Sequence, residues 1–120
     1  MGSRKFFESF RYALEGIVYC INTQKNMRIH LAIAMITIMA GLALKISRLE
    51  FIIIIMVISV VFVCEIINTA VEKAIDATTH EYNPIAKIAK DVAAGAVLVA
   101  AINSIIVGLL IFGRFFWFLP

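Results

Sequence analysis

Between Arg4 and Ile21 the apolar residues Phe6, Phe10, Leu14, Ile17 and Ile21 recur every three or four positions, with Arg4, Lys5, Glu8, Arg11 and Glu15 among them. That spacing collects apolar side chains on one side of a helix and charges on the other, and it predicts an amphipathic helix over 4–22. The segment is too polar to cross a bilayer. A basic helix carrying aromatic residues suits the headgroup boundary, where it is expected to lie flat on the inner leaflet.

After Gln24 the periodicity gives way to long apolar runs. The first, HLAIAMITIMAGLALKI, predicts a helix over 28–46, near the short end of what crosses about 30 Å of hydrocarbon. KISRLE is expected to be a short connection, and a second helix over 51–78 begins with the unbroken run FIIIIMVISVVFVC. THEYNPIAK is the clearest break: Asn83 suits a helix cap and Pro84 the first helical position, so a third long helix is expected over 84–113. Asn103 and Ser104 within it suggest hydrogen bonds between helices, and Arg114 and Trp117 stand where interfacial anchors belong.

Composition agrees: 62% of the residues are hydrophobic and 16% charged, more apolar surface than a soluble domain of this size could hide. The expected architecture is an all-α membrane protein, a single domain over 1–120, with three transmembrane helices preceded by the interfacial one. Its net charge of +3 is modest and placed at the ends of the apolar runs, which suits anionic lipid and gives no case for nucleic acid. Eight Lys and Arg residues (Arg4, Lys5, Arg11, Lys25, Arg28, Lys73, Lys87, Lys90) fall on one side of the three spans. Three (Lys45, Arg48, Arg114) fall on the other, which puts the amino terminus in the cytoplasm. The first residues lack the apolar core and cleavage site of a secretory signal, so the amino terminus is expected to be retained. Cys20 and Cys64 have no ligand spacing and read as small buried hydrophobes. His30 and His80 read as interfacial or loop residues rather than ligands.

Glu65 follows the second apolar run with no turn signal between them. At about 100° per residue, Glu65, Asn68, Glu72 and Asp76 share an arc of roughly 80°, one polar stripe on a continuing helix. Glu72 and Asp76 alone could form a solvated face. A carboxylate within hydrocarbon costs several kcal/mol unless it is paired, protonated or faces a polar cavity, so Glu65 points to function. Lys90 and Asp91 precede the last apolar run, and the small residues Ala93, Ala94, Gly95 and Ala96 after them suit close helix packing. Two carboxylates seven residues apart, one deep and one at the water boundary, suit a reaction between a lipid hydroxyl and an aqueous phosphate donor. The deep one takes the proton and the shallow one holds a metal. No P-loop or protein-kinase motif is present. A small proton-coupled transporter is the competing reading, since it too would carry an intramembrane glutamate; a non-catalytic membrane assembly factor is a third.

The run Glu65-Ile-Ile-Asn68-Thr-Ala-Val-Glu72-Lys-Ala-Ile-Asp76, then Glu81-Tyr82, then Ala89-Lys90-Asp91-Val-Ala-Ala-Gly-Ala-Val-Leu, resembles the signatures of the prokaryotic integral-membrane diacylglycerol kinases and undecaprenol kinases. The likeness covers nearly the whole chain, and Asn26-Met27-Arg28-Ile29-His30 leans toward the undecaprenol-kinase branch. It implies a homotrimer in the bacterial plasma membrane that uses Mg-ATP to phosphorylate a lipid alcohol, undecaprenol or diacylglycerol. By resemblance Glu65 is the general base with Asn68 its polar neighbour, and Glu72 binds magnesium and faces the nucleotide. Lys5, Tyr12, Gln24, Glu81, Tyr82, Asn83, Lys90 and Asp91 are expected around ATP, and Arg28 and Ala94 with Glu65 at the lipid substrate. One position departs from the pattern: Gln24 stands where a second metal-binding glutamate is usual, and an amide oxygen brings no charge to Mg²⁺. The departure points to weaker metal binding, a substitute carboxylate such as Glu15, or a low-activity member of the family.

Overall fold

A computed structural model describes residues 2–116. They form four α-helices, α1 (Gly2–Thr23), α2 (Lys25–Leu44), α3 (Arg48–Thr78) and α4 (Pro84–Phe112), with a 3-10 turn at Gly113–Phe115. Helices α2 and α3 and the segment Pro84–Phe115 are each long and apolar enough to cross a membrane. Trp117 lies outside the described residues.

Each boundary has a local cause. Gln24 is the only residue between α1 and α2, so α2 begins three residues before the expected 28. Its backbone is extended, and its side-chain amide bonds Thr23 Oγ1 at 3.4 Å instead of capping α2. At the other end Lys45 adopts a left-handed conformation (φ 55°) and its N–H returns to Gly41 and Leu42 carbonyls, closing α2 before 46. Half of the expected KISRLE connection, Arg48 to Glu50, is the first turn of α3. Ser47 Oγ accepts from the Glu50 N–H while the Glu50 carboxylate accepts from the Ser47 N–H, a reciprocal cap that starts α3 at Arg48. Asn83 Oδ1 accepts from the N–H groups of Ile85 and Ala86, with Pro84 at the first helical position of α4.

Helices α3 and α4 make the most extensive contact, with α2 against α3. The tightest packing lies at the end away from the α3–α4 loop, where Ile46, Ile54 and Ile111 are buried among Phe51, Ile58 and Val107. Gly41 permits this approach: a Cβ there would stand 2.9 Å from Ile46 Cδ1 and 3.0 Å from Phe51 Cε1. Arg114 pairs with Glu50 in the same region, tying the far end of α4 to the start of α3. Elsewhere the long helices leave large apolar residues exposed, among them Ile36, Met39, Met56, Val99 and Leu110. Such surface is stable against lipid tails or another helix, not against water. A Cβ on Gly95 would meet nothing within 4 Å, so its smallness serves no contact inside the chain. One packing expectation, a hydrogen bond from Ser104 to another helix, is corrected. Ser104 donates to Ala101 of its own helix, which satisfies the hydroxyl without a partner helix, and Asn103 is exposed.

Candidate functional site

At about 1.5 Å per residue, the 31 residues of α3 span some 46 Å, far beyond the hydrocarbon thickness. Helix α3 therefore carries its face out of the apolar layer without a break, and the residues on that face pass from buried to exposed. Glu65 is 2% exposed, Asn68 is 9% and Thr69 3%. Glu72 is half-buried and Asp76 exposed. The Thr69 hydroxyl donates to the Glu65 carbonyl at 2.9 Å, so it is satisfied within the helix and leaves the Glu65 side chain free. Asn68 Nδ2 donates to Glu72 Oε1 at 3.3 Å. Glu65 Oε2 and Asn68 Oδ1 are buried with no hydrogen-bond partner. Two orphaned acceptors one turn apart are costly in a folded chain and mark a place where a donor or a cation is received.

The stripe continues across the bundle. Lys90 Nζ donates to Asp76 Oδ1 at 2.6 Å, bridging α3 to α4 over the loop. Asp76 lies past the apolar run of α3, and the hydrogen bond from Lys90 holds its carboxyl below its ordinary range. Lys90 and Asp91, adjacent in sequence, are separated in function, because Asp91 pairs with Lys87 at 2.6 Å on the next turn of α4. Lys73 Nζ stands 5.8 Å above the Tyr19 ring, so the end of α1 packs beside the same stretch of α3.

The other residues expected at the site lie elsewhere along α1, α2, α4 and the α3–α4 loop. Arg28 donates to the Ile21 and Asn22 carbonyls at 2.9 Å each, satisfying the open end of α1. Tyr12 and Lys5 are exposed on α1, with the Arg11 guanidinium 5.2 Å from the Tyr12 ring centre. Glu81 and Tyr82 are exposed in the α3–α4 loop, Asn83 caps α4, and Ala94 is exposed on α4. Thus Glu65, Asn68 and Glu72 share one face of α3, Asp76 and Lys90 pair at its exposed end, and the end of α1 packs beside it at Tyr19. His30, expected to be an interfacial or loop residue rather than a ligand, lies within α2 and is half-buried. Its position three residues after buried Met27 and four before buried Ala34 is the signal in the sequence that points inward.

Glu72 and the free Asn68 Oδ1 are hard oxygen donors of the kind Mg²⁺ accepts. Among the described residues no three His, Cys, Asp or Glu stand close enough to enclose a metal. An ion held here would complete its shell with water and phosphate oxygens, which is the usual arrangement for Mg²⁺.

Three helices long and apolar enough to cross a membrane, with a buried carboxylate, an amide and a second carboxylate on one face of α3 and a lysine paired at its end, fit a membrane-embedded enzyme. The chain belongs to the prokaryotic diacylglycerol kinase family, whose sequence profile matches residues 11–112; it is a membrane lipid kinase. It is 43% identical over 108 residues to the undecaprenol kinase of Bacillus subtilis strain 168, covering 90% of this chain and 88% of that one. Against a Synechocystis diacylglycerol kinase it is 43% identical over 101 residues, 83% of this chain but 58% of the longer relative. Against a diacylglycerol kinase of Helicobacter pylori strain J99 it is 30% identical over 116 residues, 97% of this chain and 84% of the relative.

Proposed function

We propose that this protein transfers the terminal phosphoryl group of Mg-ATP to the primary hydroxyl of a membrane lipid alcohol, with undecaprenol favoured over diacylglycerol. The observation that carries the reading is the buried, partnerless Oε2 of Glu65 at the point where the apolar run of α3 ends. A carboxylate there meets a hydroxyl held at the bilayer boundary and takes its proton as the oxygen attacks phosphorus. Asn68 and Glu72, one and two turns further on, face the phosphates. Lys90, whose ammonium is anchored by Asp76, offsets their negative charge. Glu72, with Gln24 as a neutral neighbour, would hold a Mg²⁺ ion, whose charge would offset that developing on the phosphates. Lys5 and Tyr12 reach the nucleotide from α1, Glu81, Tyr82, Asn83 and Asp91 from the α3–α4 corner, and Arg28 and Ala94 border the lipid.

Helix α1 is read as lying on the inner leaflet, because Phe6, Phe7 and Phe10 are exposed, with none of the described residues covering them. The amino terminus and the α3–α4 loop are cytoplasmic on the distribution of Lys and Arg, which puts the stripe on the side where ATP is found. The uncovered apolar faces and the unused smallness of Gly95 support assembly with further copies, a homotrimer. The preference for undecaprenol rests on the near full-length likeness to the Bacillus subtilis enzyme. The test is ATP-dependent incorporation of phosphate into undecaprenol and diacylglycerol, measured side by side in the same vesicles with and without Mg²⁺. Faster labelling of undecaprenol, dependent on the ion, is expected. Labelling of neither lipid overturns the reading, and labelling of diacylglycerol alone overturns the preference.

A further inference from the structure

His30 has no part in the scheme above, and it lies within α2 with its side chain half-buried. On α2 the buried positions are Met27, Ala34 and Gly41, and His30 falls between the first two, on the side turned toward the bundle. It lines one end of an apolar cavity of ≈ 290 Å³ bounded by α2, α3 and α4. Val61 and Phe62 line the same cavity, and Val61 is one turn before Glu65 on the same face of α3. The cavity is walled by aliphatic groups such as Ile33, Ile54 and Ile105, and a half-buried imidazole is out of place among them unless it has a polar partner. The nearby group in need of a donor is the Glu65 carboxylate, whose Oε2 is buried with none.

We propose that His30 is a positioning residue of this kinase: its ring N–H, offered across the α2–α3 seam, orients the Glu65 carboxylate for the arriving alcohol. A catalytic base is commonly held by a third group in this way, one oxygen fixed so that the other points at the proton to be removed. Glu65 Oε2 has no hydrogen-bond partner in the structure, and catalytic hydrogen bonds of this kind tighten when substrate is bound.

The inference rests on the proposed role of Glu65, and its test separates the two. His30→Leu, which keeps bulk but has no N–H, and His30→Gln, which keeps a donor, are assayed for lipid phosphorylation in the full-length membrane protein. His30→Phe answers for Leu should that variant not assemble. Expected is a fall of kcat of about 10- to 100-fold in Leu or Phe, the size of effect that a misplaced reacting group produces. The KM for ATP should be unchanged, and Gln should recover most of the rate. Full activity in Leu or Phe overturns the proposal. Equal loss in Gln and Leu, or a parallel rise in the KM for ATP, assigns His30 to packing and overturns it too. Activity retained in Glu65→Gln would instead remove the base itself.

Discussion

Replacing Glu65 by Gln separates chemistry from architecture at the centre of the site. The change keeps the shape of a side chain that is only 2% exposed, so α3 needs no rearrangement to hold it. It removes the lone pair that accepts the proton. A positioned general base contributes about 10² to 10⁴ in rate, which is roughly 2.7 to 5.5 kcal/mol of barrier. Stability should move little, and in the opposite direction: Oε2 has no partner, so a buried charge is exchanged for a neutral amide. The assay is initial-rate transfer of labelled phosphate to undecaprenol in vesicles, paired with thermal unfolding and size analysis of the same preparation in detergent. Expected is activity lowered at least 100-fold in a protein that assembles and melts like the wild type. Turnover within tenfold of wild type would refute Glu65 as the base, and a collapsed assembly would refute the claim that its role is chemical.

Gln24→Glu should lower the Mg²⁺ concentration giving half-maximal rate, since it restores a charge beside the proposed metal site; an unchanged or higher requirement counts against Gln24 as a ligand position. Lys90→Met should raise the KM for ATP while barely altering the melting temperature at pH 7, because the Asp76–Lys90 pair is largely exposed. The same variant carries a pH signature. The folded-state Asp76 carboxyl is depressed from 3.8, so the pair's small stabilisation is present above that value and is lost as pH falls through the folded-state pKa. Wild type and Lys90→Met should therefore converge in stability at acid pH, and a gap that widens there would contradict the pairing. Ser47→Ala should cost about 1 kcal/mol in thermal stability with kcat unaffected, since it removes the cap of α3 at the end remote from the chemistry.

The parts of the molecule governed by local periodicity are legible in the amino-acid sequence itself. The apolar runs mark the long helices, Asn83-Pro84 marks the start of α4, and 100° steps place Glu65, Asn68 and Glu72 on one face. The capping box is equally local, and the expectation of a connection at KISRLE overlooks it, although Ser47-Arg48-Leu49-Glu50 carries its Ser-x-x-Glu signature. Partners distant in sequence are beyond such reading. That Lys90 turns to Asp76 and leaves Asp91 to Lys87 depends on how α3 and α4 cross, as does the pairing of Glu50 with Arg114, 64 residues away. Arg28, expected near the lipid, is bonded to the last carbonyls of α1, a contact set by the single-residue turn at Gln24.

That turn has a mechanical consequence. With one residue between α1 and α2 and the Arg28 guanidinium clasping the carbonyls on the near side, the two helices form a bracket with almost no slack. Helix α2 has 20 residues, just the length that matches an average hydrocarbon layer, so it must tilt when the bilayer thins. In the proposed arrangement the tilt is passed to α1, which swings Lys5 and Tyr12 relative to the stripe on α3. In that arrangement the nucleotide side of the enzyme would be geared to the thickness of the lipid in which its substrate is dissolved.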